Sequence, residues 1–300
     1  NEFHVFMKST SSLNIVELAI AILVMSTSGV LGKQIDLPVV LIIWSRCLLG
    51  AMALFLIRFI FNNSFHISRS DRTKMILPTL LMGIHWLAYF YALKLSNVAI
   101  GMLTLFTYPL MTSILEPILL KDRMVKRHLP LTLITLVGIY FLVPNFDMSD
   151  DLTVGILFGL LAALSYAIRN IWIRKHIDVI SGSLSMAYQL LALSIVLIPF
   201  LFFYPLEQDQ YFLDNTTNLI TLGLITTAVG HTLFVRSFKY FSVTTVSIMS
   251  NFTPVLGIGW GMLFLDEIPK KGIYIGGSII LLVTLVEIFF YTKIDGKHGD

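Results

Sequence analysis

Apolar residues in this chain gather into long runs, and polar residues fall into short gaps between them. Ten runs reach or approach the ~20 residues that an α-helix needs to cross a bilayer core. They lie at about 13–33, 38–61, 75–94, 97–119, 129–145, 154–173, 183–204, 218–236, 242–264 and 272–292. None alternates strictly between apolar and polar positions, so they predict helices rather than barrel strands, the two structures that satisfy every backbone group in lipid. The gaps are short, which leaves the helices to carry function. Shifting the sequence by 145 residues lays Lys94 on Lys239, Val98 on Val243, Pro109 on Pro254, Leu120 on Leu265 and Asp122 on Glu267. Each half then reads as a helix, a tight turn, a helix with a mid-span proline, and an acidic residue at its exit. The second five runs repeat the first five. Because five is odd, the halves are expected in opposite orientations, as in many secondary transporters.

Composition narrows the class. With 56% hydrophobic and 13% charged residues in 300 and a mean hydropathy of +0.82, the chain lacks the polar surface of a water-soluble domain. The single cysteine, Cys47, falls inside the second run. It excludes a disulfide framework or a cysteine-based metal site and reads as packing. The net charge of +3 comes from cationic loops and needs no nucleic-acid partner. If the N-terminus is cytoplasmic, fifteen Lys and Arg fall on that side and four, Lys33, Lys94, Lys270 and Lys271, on the other. The bias predicts both termini in the cytoplasm. The first run has no small-residue cleavage site after it and reads as a retained helix, not a signal peptide. Residues 1–6 read as dispensable, with Met7 the native start. The expected division is an N-terminal tail 1–12, five-helix repeats 13–146 and 147–292, and a C-terminal tail 293–300.

Four segments carry a family likeness. They are Ser26-Thr27-Ser28-Gly29-Val30-Leu31-Gly32-Lys33, Trp44-Ser45-Arg46, Pro109 through Leu120-Lys121-Asp122-Arg123, and Pro254 through Leu265-Asp266-Glu267-Ile268-Pro269. With them the chain, from Leu13 to Thr292, resembles the drug/metabolite transporter superfamily, specifically the ten-helix bacterial permeases with two EamA domains. The resemblance implies an all-α integral membrane protein of the bacterial inner membrane. It also implies a central cavity lined by spans 1, 3, 4, 6, 8 and 9, with spans 5 and 10 at the periphery. Asp122 stands where the family prefers glutamate. The membrane glutamate of the related small multidrug transporters aligns with Met25, and Glu17 lies eight residues earlier, so their proton-for-cation exchange is not carried over.

The candidate chemistry is sparse. Arg46 sits eight residues into the second span, roughly 12 Å along it. At that depth it is expected to serve as a gate ion pair, to recognise a substrate carboxylate, or to bond helix-end carbonyls. Arg169 and Asn170 lie near the cytoplasmic end of the sixth span, where substrate binding and snorkelling to the interface are both open. His85 and Tyr89 share one helix face at i and i+4, with Trp86 and Phe90 on an adjoining face, and form the leading substrate-site candidate. Tyr108 beside Pro109, and Asn251 three residues before Pro254, mark places where a proline frees a backbone carbonyl, as at a cavity border or a hinge. His231 in the eighth span titrates near neutral pH in its ordinary form and is the remaining candidate. Trp260 with Gly257, Gly259 and Gly261, and the pair Gly276-Gly277, read as close helix packing. No phosphate-cradling loop, metal-ligand cluster or nucleophile with a base is present, so neither a metal nor a cofactor is expected.

The resulting expectation is a carrier rather than an enzyme. It moves small organic metabolites by alternating access, with amino acids or similar amphipathic solutes exported. Rival readings are an exchanger or importer of nucleotide-like or phosphorylated metabolites, and a non-transporting membrane scaffold. The expected partners are the small-molecule solute and membrane lipid. Two fused halves make a monomer sufficient, and a dimer is compatible.

Overall fold

The side-chain distribution is the reverse of a water-soluble domain. Leu56, Leu263 and Phe202 are 58%, 72% and 86% exposed, whereas Arg46, Arg169, Asn170 and Gln189 are at 0%. An apolar outside around a polar inside is how a helical bundle is built when hydrocarbon surrounds it. Seven helices are long and apolar enough to cross a membrane, and shorter apolar helices occupy Phe252–Phe264 and Lys271–Val283. This is a multi-pass membrane protein. The computed structural model describes residues 12–120, 130–131, 134, 137–138, 140–141, 150–177, 180–203, 209–241, 243–250 and 252–295. Among the described residues all regular structure is helical.

The first span is two helices, α1 (Ser12–Ser26) and α2 (Ser28–Gln34), parted at Thr27. Ser26 Oγ donates back to Leu23 O at 2.6 Å and Thr27 Oγ1 to Val24 O at 2.8 Å, local bonds that compete with a continuous helix. The second span is α3 (Val39–Ile60) and the third α4 (Arg69–Leu95). Helix α4 starts six residues before its apolar window because polar residues cap it. Ser68 Oγ accepts from the Asp71 amide at 3.1 Å, and Lys74 pairs with the Asp71 carboxylate at 2.7 Å.

The fourth span divides into α5 (Val98–Leu105) and α6 (Tyr108–Leu120). Pro109 was expected in a helix interior. It sits instead in the first turn of α6, where its missing N–H leaves no bond unmade. Helices α7 (Asp151–His176) and α8 (Gly182–Leu201) follow. The eighth span was expected to begin at 218, but the helix is already formed from Asp209. It runs as α9 (Asp209–Ile220), an eleven-residue π-helical segment Thr221–His231, and α10 (Thr232–Ser237). Within the wide turns, Thr226 and Thr227 both donate their hydroxyls to Leu222 O, at 2.5 and 2.7 Å. The ninth span divides like the fourth, into α11 (Val243–Met249) and α12 (Phe252–Phe264), and Pro254 again lies in the first turn after the break. The chain closes with α13 (Lys271–Asp295). Of the predicted fifth span 129–145, the described positions between 130 and 141 are helical. The rest of that span, Lys121-Asp122-Arg123, Asn251, and the tails 1–11 and 296–300 lie outside the described residues.

The longest interface runs between α4 and α7. Small residues on α7, Gly155 facing Ala92 and Ser96 and Ala162 beside His85, let the two backbones approach. The pair is pinned at two heights, by His85 Nδ1 3.1 Å from Ala162 O and by Trp172 Nε1 donating to Lys74 O at 2.9 Å. On α12, Gly257 faces Ser26 O and Met102, Gly261 faces Val98, and Gly259 meets nothing within 4 Å, so two of the three glycines serve packing.

Candidate functional site: an aromatic cavity among broken helices

One cavity sits where the broken helices meet. Its walls come from Ile22, Met25 and Ser28 of the first span, His85, Trp86 and Tyr89 of α4, and Met102, Leu105, Phe106 and Tyr108 of the fourth span. Tyr166 of α7, His231 and Phe234 of the eighth span, and Ser250 and Thr253 of the ninth complete it. Those are spans 1, 3, 4, 6, 8 and 9, the set implied by the family resemblance. The atom-free space is ≈ 510 Å³, but the part that a water centre can reach is only ≈ 40 Å³. At roughly 10–15 Å³ per water centre, that space holds about three waters and no metabolite.

Aromatic rings frame the space. His85 stacks on Tyr166 at 4.3 Å and 18° and lies parallel to Tyr89 at 6.4 Å. Tyr108 meets Tyr166 edge-on at 5.0 Å, Phe234 stacks on Tyr166 at 5.8 Å, and Trp86 meets His231 edge-on at 5.2 Å. Such a lining offers flat apolar faces to a solute with a few polar edges between them. Three of those edges are unsatisfied: the Tyr89 and Tyr166 hydroxyls and His231 Nδ1 are buried with no hydrogen-bond partner.

The candidates read from sequence fall into three groups. His85, Tyr89, Tyr108 and His231 line the cavity. Arg169 and Asn170 are buried behind Tyr166, with the guanidinium carbon 6.0 Å from that ring. Arg169 is fully committed there: Nε and Nη2 donate to Gln189 Oε1 at 3.3 and 3.2 Å, and Nη1 donates to Asn170 Oδ1 at 2.9 Å. It neither snorkels nor reaches the cavity; it ties α7 to α8. Asn251 lies outside the described residues, though its neighbours Ser250 and Thr253 line the cavity.

Arg46 forms the third group. No carboxylate among the described residues pairs with it. Its guanidinium lies over the Trp86 ring at 4.2 Å and the Phe90 ring at 5.3 Å, and Nε donates to Thr227 Oγ1 at 2.9 Å. Nη1 and Nη2 are buried and unpartnered. A buried membrane arginine costs ~2.5–3.5 kcal/mol on insertion scales, and cation–π contact returns ~0.5–2 kcal/mol of it. Residues that sequence reasoning passed over, Tyr166, Thr227 and Phe234, complete this surround. Trp86 had been set on an adjoining face; a ring that wide reaches both the cavity and Arg46.

Side-chain bonds tie the helices together at each end of the bundle. At one end Lys33 Nζ donates to Leu93 O at 2.8 Å and Ser96 O at 2.7 Å, with Lys94 O at 3.5 Å, while Lys94 Nζ donates to Ile35 O at 2.5 Å. Each lysine thus bonds the C-terminal carbonyls of the other's helix, where the helix dipole favours a cation. Beside them, Asp266 takes φ = 52°, a left-handed conformation that aspartate tolerates, and turns Glu267 back over α5. Glu267 Oε2 accepts from the Val98 amide at 2.9 Å, and Asn97 Oδ1 accepts from the Ile100 amide at 2.9 Å, so both cap the first turn of α5. At the opposite end Arg236 pairs with Glu17 at 3.3 Å, and Arg58 Nη1 donates to Ser183 Oγ at 3.0 Å.

A cavity walled by broken helices, with side-chain bonds tying the bundle at both ends, suits a carrier, and comparison with known proteins decides the family. The EamA-like transporter family is matched twice, over residues 13–143 and again over 153–288. This chain belongs to that family. Among relatives of the EamA-like chain, the uncharacterized transporter YoaV of Bacillus subtilis is 24% identical over 267 residues, covering 86% of this chain and 90% of its own. The pseudopaline exporter CntI of Pseudomonas aeruginosa is 24% identical over 259 residues, covering 84% and 86%. The S-adenosylmethionine uptake transporter of Rickettsia conorii is 25% identical over 228 residues, covering 74% of each. A crystal structure superposes with a TM-score of 0.70 at 16% identity, covering 95% of this chain and 99% of its own, a likeness of fold. The EamA-like chain is a multi-pass membrane protein of a transporter family.

Proposed function

We propose that this protein is a ten-helix secondary transporter that exports amino acids or related amphipathic solutes by alternating access, and that its site is the aromatic cavity. The observation that carries this reading is the cavity's construction. It draws walls from both halves, is too small for a solute as it stands, and is fastened at two ends by different groups. Releasing one set of fastenings while the other holds is what alternating access requires. The halves read as inverted repeats: α5 begins at Val98 and α11 at Val243, the 145-residue shift that also relates Pro109 to Pro254. Both prolines follow a helix break, which makes them matched hinges about which spans 3 and 4 rock against 8 and 9. The end holding Arg58 and Arg236 belongs to the cation-rich side and the end holding Lys33 and Lys94 to the other, which supports cytoplasmic termini. Export has a precedent in the pseudopaline exporter.

A second reading, uptake or exchange of a nucleotide-like metabolite, has the S-adenosylmethionine uptake transporter in its favour. Counterflow of a labelled panel of amino acids, nucleosides and nucleotides in proteoliposomes separates the two. Tyr89→Ala and His85→Ala are run beside the unsubstituted protein. Saturable amino-acid flux that falls in both variants supports the first reading, and nucleotide flux alone supports the second. No flux of any solute overturns transport and leaves a scaffold.

A further inference from the structure

Arg46 and Arg169 are both fully buried cations without a carboxylate among the described residues, yet only one is finished. Every nitrogen of Arg169 has an acceptor on Gln189, Asn170 or Met186. Arg46 spends one nitrogen on Thr227 and leaves the edge formed by Nη1 and Nη2 bare. That edge is not isolated. Trp86, whose ring lies 4.2 Å from the Arg46 guanidinium, meets His231 at 5.2 Å, and Phe90, 5.3 Å from that guanidinium, meets Tyr89 at 5.7 Å. Tyr89 and His231 each also carry a buried unpartnered polar atom, the hydroxyl and Nδ1. Unpartnered polar groups thus gather around Arg46 with no anion among the described residues to meet its charge, and buried polar groups are rarely left so. The Trp86 ring, stacked 4.2 Å from the guanidinium, also lines the cavity, so it links Arg46 to that space.

We propose that Arg46 is the solute-binding cation of this protein: it takes a monocarboxylate through Nη1 and Nη2 once the Trp86 indole leaves its face. The inference rests on the transporter reading and names the solute class for it. A guanidinium edge with two parallel N–H groups matches one carboxylate in bidentate fashion. One free edge suits a single negative charge; Arg169 has none to add for a phosphate dianion. The apolar wall at Ile22, Met25, Met102, Leu105 and Phe234 takes the hydrophobic body of the solute. No carboxylate lines the described cavity to pair with an ammonium, so the α-amino group of an amino acid is dispensable. The favoured class is the apolar monocarboxylate, with or without an amino group.

Binding to purified protein in nanodiscs, by calorimetry, tests this with four probes: phenylalanine, phenylalaninamide, 3-phenylpropanoate and 3-phenylpropanamide. Both acids are expected to bind about tenfold or more tightly than their amides, as the loss of a bidentate charged pair implies. Arg46→Gln abolishes the preference, and Arg46→Lys keeps part of it because the charge remains without the fork. Thr227→Val, which frees Nε and loosens the guanidinium, weakens the acids by about three- to tenfold and leaves the amides alone. Arg46→Lys and Thr227→Val carry the test if Arg46→Gln fails gel filtration. Amides that bind as well as acids, or a preference surviving these substitutions, overturn the assignment. Binding of none of the four, while the counterflow panel moves other solutes, also overturns it and leaves the transporter standing. Silence in both assays removes the transporter reading itself.

Discussion

Removing the ammonium of Lys33 is predicted to open one end of the cavity. In the closed state Lys33 makes two good bonds to carbonyls, 2.8 Å to Leu93 and 2.7 Å to Ser96, and a marginal one at 3.5 Å to Lys94. A hydrogen bond to a charged group contributes ~1.5–3 kcal/mol when buried. Lys33 is half-buried, and water competes for it, so about 1 kcal/mol per good bond is the fair figure, near 2 kcal/mol in total. Tenfold in an equilibrium constant corresponds to about 1.4 kcal/mol, so Lys33→Met should raise the open-to-closed ratio by about 30-fold. The reporter is Ser28→Cys, a cavity position, in a Cys47→Ala background that leaves no other thiol. Its labelling by a bulky polar maleimide should accelerate by that factor in detergent or nanodiscs, where the rate follows the open population. Lys33→Arg, able to reach the same carbonyls, should show a smaller change. An unchanged or slower rate in folded Lys33→Met protein would refute the argument that these bonds hold the end shut.

Glu267→Ala, which uncaps α5 at the same end, should give a smaller acceleration in the same labelling, corresponding to about 1 kcal/mol. Gly159→Ala should lower thermal stability by ~1–3 kcal/mol, because the new methyl would fall 2.6 Å from Thr104 Cβ in a packed interface. Gly259→Ala, with nothing within 4 Å, should instead be neutral or up to ~1 kcal/mol stabilising through helix propensity; melting in detergent compares the two. Pro109→Ala and Pro254→Ala should alter counterflow flux more than the melting temperature, and unchanged flux in both would count against their role as hinges.

Long apolar windows were legible from sequence because hydropathy and length are local properties. That is why α3, α7 and α8 stand close to where the runs put them. Helix starts were less so. Polar first turns lie outside an apolar window: Ser68 to Lys74 hold helix through side-chain bonds, and the helix from Asp209 begins ahead of the apolar run. Pro109 and Pro254 announced disturbance in the right places, but not that each helix ends before its proline and restarts around it. The face shared by His85 and Tyr89 was visible from spacing, and both side chains line the cavity. Which arginine stays unpaired could not be read at all. It depends on Gln189 coming beside Arg169 while Thr227, from a distant span, meets Arg46.

The π-helical stretch from Thr221 to His231 bears on how this span tolerates change in length. In an ordinary α-helix, deleting one residue turns everything beyond it by about 100° and sets the wrong side chains toward the core. A helix already wound with i→i+5 bonds holds surplus residues in its turns. Losing one here can tighten the winding toward α while the flanking helices keep their faces. The eighth span thus carries slack in its own backbone, between Gly223 packed against Leu49 and His231 on the cavity wall. Among the described spans, it is the one where chain length and side-chain direction are least rigidly linked.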